Sequence, residues 1–351
     1  MMYVSQGKEA VRPTVHDVAQ AAGVSLATVD RVINGRDGVR RDTVLRVEAA
    51  ISQLGFVRNR AAANLAKRRI YRLVFVIPEG ANTFMRRLEA EAREAGRMMA
   101  TDNIDLRVVG VPPFDGEAIA GALDALDLDD VAGVAVVATE APQVRRAIAR
   151  LHDAGVPVVT LVSDAPSFRR DRYVGVDNVA AGRTAASLIG RFLPRVPGRI
   201  ALVAGSMLVR DHVERRMGFE QVARAEYPHL EVLPPVEGRD DRDATRRIVE
   251  RCLDDNGEIA GLYNIGAGNL GVIEALSKRP ADRRPIVVAH ELGPHTRAAL
   301  ESGLFHAVIN QDPGHEVRSA IRTLRSLADG GTLIEGQEHI RIEIYLRDNL
   351  P

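Results

Sequence analysis

Several side chains in this sequence stand where an apolar run ends and a polar loop begins. Asn82 and Phe84 follow the run 72–77, Ser163 and Asp164 follow 157–161, and Asn264 closes 259–263. Glu291 follows 285–289, and Gln311 follows 307–310. Polar groups gathered at strand ends can pair with the hydroxyls of a polyol, and an aromatic ring such as Phe84 offers a flat apolar face to its carbon skeleton. Each also has a plainer use: Asn82 as a helix cap, Phe84 as core, and the others as loop groups that satisfy backbone. Arg215, inside a helical stretch, has a forked set of donors. Asp211, His212, Glu214 and Arg216 surround it, so a surface ion-pair network is the competing reading.

One further pattern suggests different chemistry. Gly266-x-Gly268-x-x-Gly271 follows an apolar run and opens a helical one, with Glu291 twenty residues after Gly271. On paper this is a dinucleotide fingerprint, which makes an NAD-type sensor or oxidoreductase the alternative function. The motif falls late in the chain, whereas the fingerprint normally occupies the first strand-to-helix turn. The same glycines can also simply let a helix pack closely. No paired general acid and base, nucleophile triad or metal-ligand spacing accompanies it. The nine histidines are scattered, and His290 and His295 bracket a loop without partners at ligand spacing. The reading is therefore no catalysis, no cofactor and no metal.

The other chemically suggestive segment is residues 14–34. Thr14 can cap a helix burying Val15, Val18, Ala19 and Ala22, and Gly23 permits a tight turn. Ser25 can cap a second helix whose Val29, Val32 and Ile33 pack back on the first. Two short helices joined this way read as a helix-turn-helix, although a plain helical hairpin has the same outline. In that motif the second helix begins at the DNA major groove. Here its first residues are Leu26 and Ala27, with Arg31 one turn on. A third helix is expected from about 42 to 54, ended by Gly55 and with an apolar face of Val44, Val47, Ile51 and Leu54. Arg40 and Arg41 stand before it in place of a small polar cap, so its start should be poorly capped. Residues 1–72 hold 13 Lys/Arg against 6 Asp/Glu, while the whole chain has a net charge of +0. A basic head on an acidic body fits a polyanion partner for the head alone.

Residues 12–69 resemble the DNA-binding head of the lactose-repressor (LacI/GalR) family. The matching residues are Thr14-Val15-x-Asp17-Val18-Ala19, Ala22-Gly23-Val24-Ser25, Thr28-Val29-x-Arg31-Val32-x-Asn34 and Leu54-Gly55-Phe56-x-x-Asn59. The resemblance implies DNA contacts from Thr14, Ser25, Leu26, Ala27, Thr28, Arg31, Asn34 and Asn59. It makes 12–57 the helix-turn-helix domain and 58–70 a hinge helix and linker. Leu65, beside Ala66, matches a leucine that wedges between base pairs in the minor groove.

Beyond Tyr71 the texture becomes alternating short apolar runs and helical stretches, which argues for parallel sheets covered on both faces. The expected fold class is α/β: a three-helix head and hinge helix, then two doubly wound lobes. Residues 71–351 resemble the periplasmic-binding-protein-like core of the same repressors, of the ribose-binding type. That resemblance implies an effector site between the lobes. Arg215 takes the place of a ligand-contacting arginine, Ser163 and Asp164 lie in a loop that supplies a carboxylate, and Glu291 stands where relatives carry aspartate. It also implies three crossings between lobes, placed near 174–178, 290 and 311–335. Lobe 1 is then about 71–174 and 291–325, and lobe 2 about 175–290 and 326–351.

Hydrophobic content of 46% and charged content of 27% describe a globular chain with no apolar stretch of membrane-spanning length. The single cysteine, Cys252, rules out an internal disulfide framework. The expectation is a cytoplasmic regulator, dimeric or tetrameric, that binds double-stranded operator DNA and answers to a sugar or polyol.

Overall fold

A computed structural model describes residues 13–33, 37–56, 70–80 and 82–351 of the chain. They form two units, divided between Arg69 and Ile70. The first contains three helices: α1 (Val15–Ala22), α2 (Leu26–Ile33) and α3 (Arg41–Leu54). Thr14 and Asp17 cap α1 reciprocally: Thr14 Oγ1 accepts the Asp17 N–H at 3.4 Å, and Asp17 Oδ2 accepts the Thr14 N–H at 2.7 Å. Gly23 and Gly55 end α1 and α3 in the left-handed region, with φ of 63° and 60°. Arg40 contributes no side-chain cap to α3. The small core is Val18, Ala19, Ala22, Val29, Val47 and Ala50. Val15, expected inside, is exposed. Asn34, Asn59, Leu65 and Ala66, with most of the expected hinge, lie outside the described residues.

The second unit holds two sheets. In lobe 1, the parallel strands β1 (Tyr71–Pro78), β2 (Ile104–Val111), β3 (Gly133–Val136), β4 (Val158–Leu161) and β5 (Arg172–Val174) lie in the order β2-β1-β3-β4-β5. Its helices within this stretch are α4 (Thr83–Met98), α5 (Gly116–Asp124) and α6 (Pro142–Asp153). β1 is apolar almost throughout because both of its faces are covered. Leu73, Phe75 and Ile77 meet α4 on one side, and Val74 and Val76 meet α5 and α6 on the other.

Lobe 2 begins with α7 (Asn178–Phe192), β6 (Gly198–Ala204), α8 (Arg210–Glu226), β7 (Leu230–Val232) and β8 (Val236–Glu237). It continues with α9 (Arg242–Asp255), β9 (Ile259–Asn264), α10 (Asn269–Ser277), β10 (Ile286–His290), α11 (Pro294–Glu301) and β11 (Ala307–Asn310). Next, α12 (Pro313–Ala328) returns to pack on the lobe 1 core through Val317, Ala320, Ile321 and Leu324. The short α13 (Glu335–Glu338) stays with it, since Ser319 and Arg322 both donate to Glu338. β12 (Glu343–Tyr345) then pairs antiparallel with β11 at the edge of the second sheet.

The chain therefore passes between lobes at 174–178, 310–313 and 338–343. The crossing expected near 290 does not exist. β11 pairs in parallel with β10, Val288 opposite Ala307, so 291–310 remain in lobe 2. Residues 326–338 likewise remain with lobe 1. A strand-helix-strand unit reads the same whichever sheet it joins, and only pairing decides. None of the described helices is long and apolar enough to cross a membrane.

α7 and α8 pack unusually closely, and two glycines make that possible. A Cβ on Gly182 would lie 1.9 Å from the Arg215 carbonyl oxygen, and one on Gly218 would lie 2.1 Å from that of Val179. Gly182→Ala should therefore cost about 1–3 kcal/mol by forcing the helices apart. Gly121→Ala in α5, where a Cβ meets nothing within 4 Å, should instead stabilise the protein by about 0.5–1 kcal/mol. Urea unfolding of both variants checks the pair.

Candidate functional site

A cavity of about 460 Å³ lies between the lobes, at the carboxyl ends of their strands. Its two walls differ. Lobe 1 contributes mainly apolar surface, including Pro78, Phe84, Phe114, Val137 and Val162, with Glu79, Asn82 and the hydroxyls of Thr139 and Ser163 as its polar groups. Lobe 2 contributes Asp211, His212, Arg215, Asp240 and Glu291, and the second crossing adds Gln311. Residues of the described chain with positive φ and a Cβ are Asn103, Phe114, Val162, Arg239, Asp240 and Glu291. All but Asn103 line this cavity. The left-handed region is costly for such residues, above all for the β-branched Val162, so backbone strain is concentrated around this one space.

Arg215 is only 3% exposed. Its Nε donates to Asn178 Oδ1 at 2.8 Å and its Nη1 to the Ile265 carbonyl at 3.0 Å. Asn178 Nδ2 in turn donates to the Tyr173 hydroxyl at 3.1 Å, and that hydroxyl lies 2.9 Å from the Val162 carbonyl. The Val162 carbonyl is thus linked through β5 and the first crossing to α8 and the end of β9. Asp211, one turn before Arg215, keeps Oδ1 without a partner. His212 Nε2 stands 3.7 Å from its other oxygen. Gln311 Nε2 donates to Glu291 Oε1 at 2.8 Å, while Gln311 Oε1 and Glu291 Oε2 are closed to solvent and unpartnered. Burial pushes the Glu291 carboxyl up to about 7 despite the opposing pull of Arg215. Behind it, Glu316 is fully buried with neither oxygen bonded, and burial and the nearby Glu291 hold its carboxyl well above the usual range.

The rim carries polar contacts between lobes. Asn82 Nδ2 donates to Asp240 Oδ2 at 3.0 Å, and Arg87 Nη1 donates to the Leu292 carbonyl at 2.7 Å. Asn82 Oδ1 meanwhile caps α4, so its two readings hold together.

Two expected contacts are not at the cavity. Asp164 is spent within lobe 1, accepting from both arms of Arg170 at 2.7 and 2.8 Å and from Thr160 at 2.7 Å. Burial opposes its ionisation, but these hydrogen bonds outweigh it and keep the carboxyl below its ordinary value. Asn264 is fully buried behind the wall and donates to Asn269 at 2.7 Å, because the last side chain of β9 turns toward α10. Asp240 and Asp211 were not anticipated. The first sits in a charged run that reads as a solvated loop. The second shares a helix face with Arg215 at i,i+4, a spacing that was available as a signal.

The glycines of the dinucleotide-like motif serve packing. A Cβ on Gly271 would fall 2.5 Å from the Arg242 carbonyl, and one on Gly268 would fall 2.6 Å from Thr245 Oγ1. The Asp240 carboxylate accepts the Ala267 N–H at 2.9 Å, placing negative charge where a pyrophosphate would have to sit. The structure gives the dinucleotide alternative no support. Among the described residues, no group of three or more His, Cys, Asp or Glu could hold a metal ion.

In the head, Thr14, Ser25, Leu26, Ala27 and Arg31 are exposed and Thr28 is half-buried. Ser25 Oγ accepts the Thr28 N–H at 3.2 Å, so Ser25 caps the start of α2. Leu26, 42% exposed, projects an apolar side chain from that start.

The family model for bacterial regulatory proteins of the lacI family matches residues 14–59, and that for the periplasmic binding protein domain matches 73–332. The HTH-type transcriptional regulator CelR of Thermobifida fusca is 30% identical over 283 residues, covering 76% of this chain and 79% of that protein. The ribose operon repressor of Bacillus subtilis (strain 168) is 32% identical over 170 residues, 46% of this chain and 48% of that one. A solved structure of GanP, a glucose-galactose binding protein from Geobacillus stearothermophilus, shares the fold with a TM-score of 0.71. It is 22% identical and covers 81% of this chain and 99% of that one.

The raised Glu291 carboxyl has a definite sign. Its folded-state value near 7 exceeds the ordinary 4.5, so the native state holds a proton that the unfolded chain gives up. Its contribution to stability is therefore lost as pH climbs from 4.5 to 7. Glu291→Gln should gain on wild type by up to about 3 kcal/mol between roughly pH 4 and pH 8. Urea unfolding at the two pH values measures this difference.

Proposed function

The chain belongs to the lacI family of bacterial regulatory proteins, and we propose that it is a sugar- or polyol-responsive repressor of carbohydrate genes that binds a pseudo-palindromic operator. In this reading it acts as a cytoplasmic homodimer, and it is not an enzyme. The observation that carries the effector half is the two-faced cavity, mainly apolar on lobe 1 and mainly hydrogen-bonding on lobe 2, where the backbone strain gathers. A pyranose or polyol has a matching pair of faces. Asn82, Phe84, Ser163, Arg215, Glu291 and Gln311 remain the proposed contacts. Asp211 and Asp240 join them.

The DNA half rests on the exposed start of α2. Leu26 and Ala27 have no side-chain hydrogen bond to offer, so they suit thymine methyls or groove shape. Arg31 can bond a guanine edge or a phosphate. Thr14, Ser25 and Thr28 support the helix start beside the backbone, and Asn34 and Asn59 complete the proposed contacts. Leu65 and Ala66 are proposed for the minor groove.

An effector alters DNA affinity only if it favours one lobe arrangement over the other. Operator duplexes selected from a random pool provide the assay, with sugars and polyols titrated into the complex. A shift in operator affinity is expected for at least one of them, and no shift with any overturns the reading. Gln311→Ala, which removes a single side-chain hydrogen bond, should abolish the response while leaving the helical content near wild type. Arg31→Ala should cost about 1–3 kcal/mol on the selected operator if Arg31 reads guanine. Equal loss on random DNA would show that it grips phosphate alone.

A further inference from the structure

The inner wall of the cavity has an imbalance that a neutral sugar does not correct. Asp211 and Glu291 each keep an oxygen that is closed to solvent and unpartnered, and the free atom of Gln311 is also an acceptor. Gln311 and Asp211 are 3% and 7% exposed, so water does not satisfy them freely. Arg215, the one buried arginine among the described residues, gives two of its donors to Asn178 and the Ile265 carbonyl. His212 stands near only one Asp211 oxygen. Arg239 is exposed at the rim. From lobe 1 the cavity lining adds no basic side chain, only the further carboxylate of Glu79 among aromatic and aliphatic groups. Arg87 acts on Glu291 from the rim, where it is tied to the Leu292 carbonyl.

Unpaired buried carboxylates are costly, and a cation placed between them removes the cost. Starting from the reading of this cavity as the effector site, we propose that the effector carries a protonated amine, held by Asp211, Glu291 and Gln311. Its carbon skeleton lies against Phe84 and Phe114. The class is an amino sugar or amino-polyol. An ammonium supplies three donors and no acceptor, the complement of three unpartnered acceptors. The raised carboxyl of Glu291 agrees, since burial there outweighs the pull of Arg215 and Arg87.

Matched ligand triplets test this on the full-length protein by calorimetry at neutral pH. Each triplet is a hexose, its 2-amino-2-deoxy derivative and the N-acetyl form of that derivative, in the gluco, galacto and manno series. In at least one series the amine should bind ten-fold or more tighter than both neutral members. Asp211→Asn and Glu291→Gln should each weaken amine binding by ten-fold or more and narrow its advantage. A neutral hexose that binds as tightly as its amine overturns the charge claim and leaves the sugar cleft standing. If no member of any triplet binds, both readings fall.

Discussion

A guanidinium withdrawn from water must be held on every side, and in this protein that requirement falls on Arg215. Its position is fixed by Asn178 on α7 and by the carbonyl of Ile265 just past β9. The contact with Asn178 exists only because α7 and α8 lie close enough for a helix-bound asparagine to reach a helix-bound arginine. That closeness in turn depends on Gly182 and Gly218. Through Tyr173 the same hydrogen-bonded chain reaches the first crossing between lobes. Arg215 is thus both a structural tie of lobe 2 and a wall of the cavity. A ligand there touches a group whose surroundings span the inter-lobe connection.

The acids around Arg215 complete the constraint. One buried cation stands against Asp211, Glu291 and Glu316, and a low-dielectric interior does not support that balance with every carboxyl ionised. Burial pushes the Glu291 and Glu316 carboxyls upward, toward their neutral forms. The strain in the backbone at Phe114, Val162, Arg239, Asp240 and Glu291 belongs to the same picture. These residues are costly to hold in place, and the surrounding sheets and helices hold them facing one space.

Much of this was legible in the residues. The head announces itself through local signals, a capping threonine, a left-handed glycine and a helical apolar period, all of which act within a few residues. The two doubly wound lobes follow from continuous apolar strands alternating with amphipathic helices. Glu291 and Gln311 could be placed at the cavity because the fold brings strand ends together, and Arg215, inside a helix, through the family resemblance alone. What could not be read was direction and pairing. Asp164 reads as a cavity residue because nothing in its position shows that Arg170 will claim it. Asn264 ends the right strand, yet its side chain is drawn toward Asn269. The crossing expected at 290 failed for the same reason: the unit that follows is compatible with either sheet, and the ladder from Val288 to Ala307 alone places it.

The central claim is that the cavity is built around a buried arginine outnumbered by buried acids. Nuclear magnetic resonance titration of the ¹³C-labelled glutamate carboxyls, with Glu291→Gln and Glu316→Gln used for assignment, tests it without any ligand. The account predicts that Glu291 titrates near 7 and that Glu316 keeps its proton well above the ordinary glutamate value. Two glutamates titrating with the exposed ones, near 4.5, would contradict it.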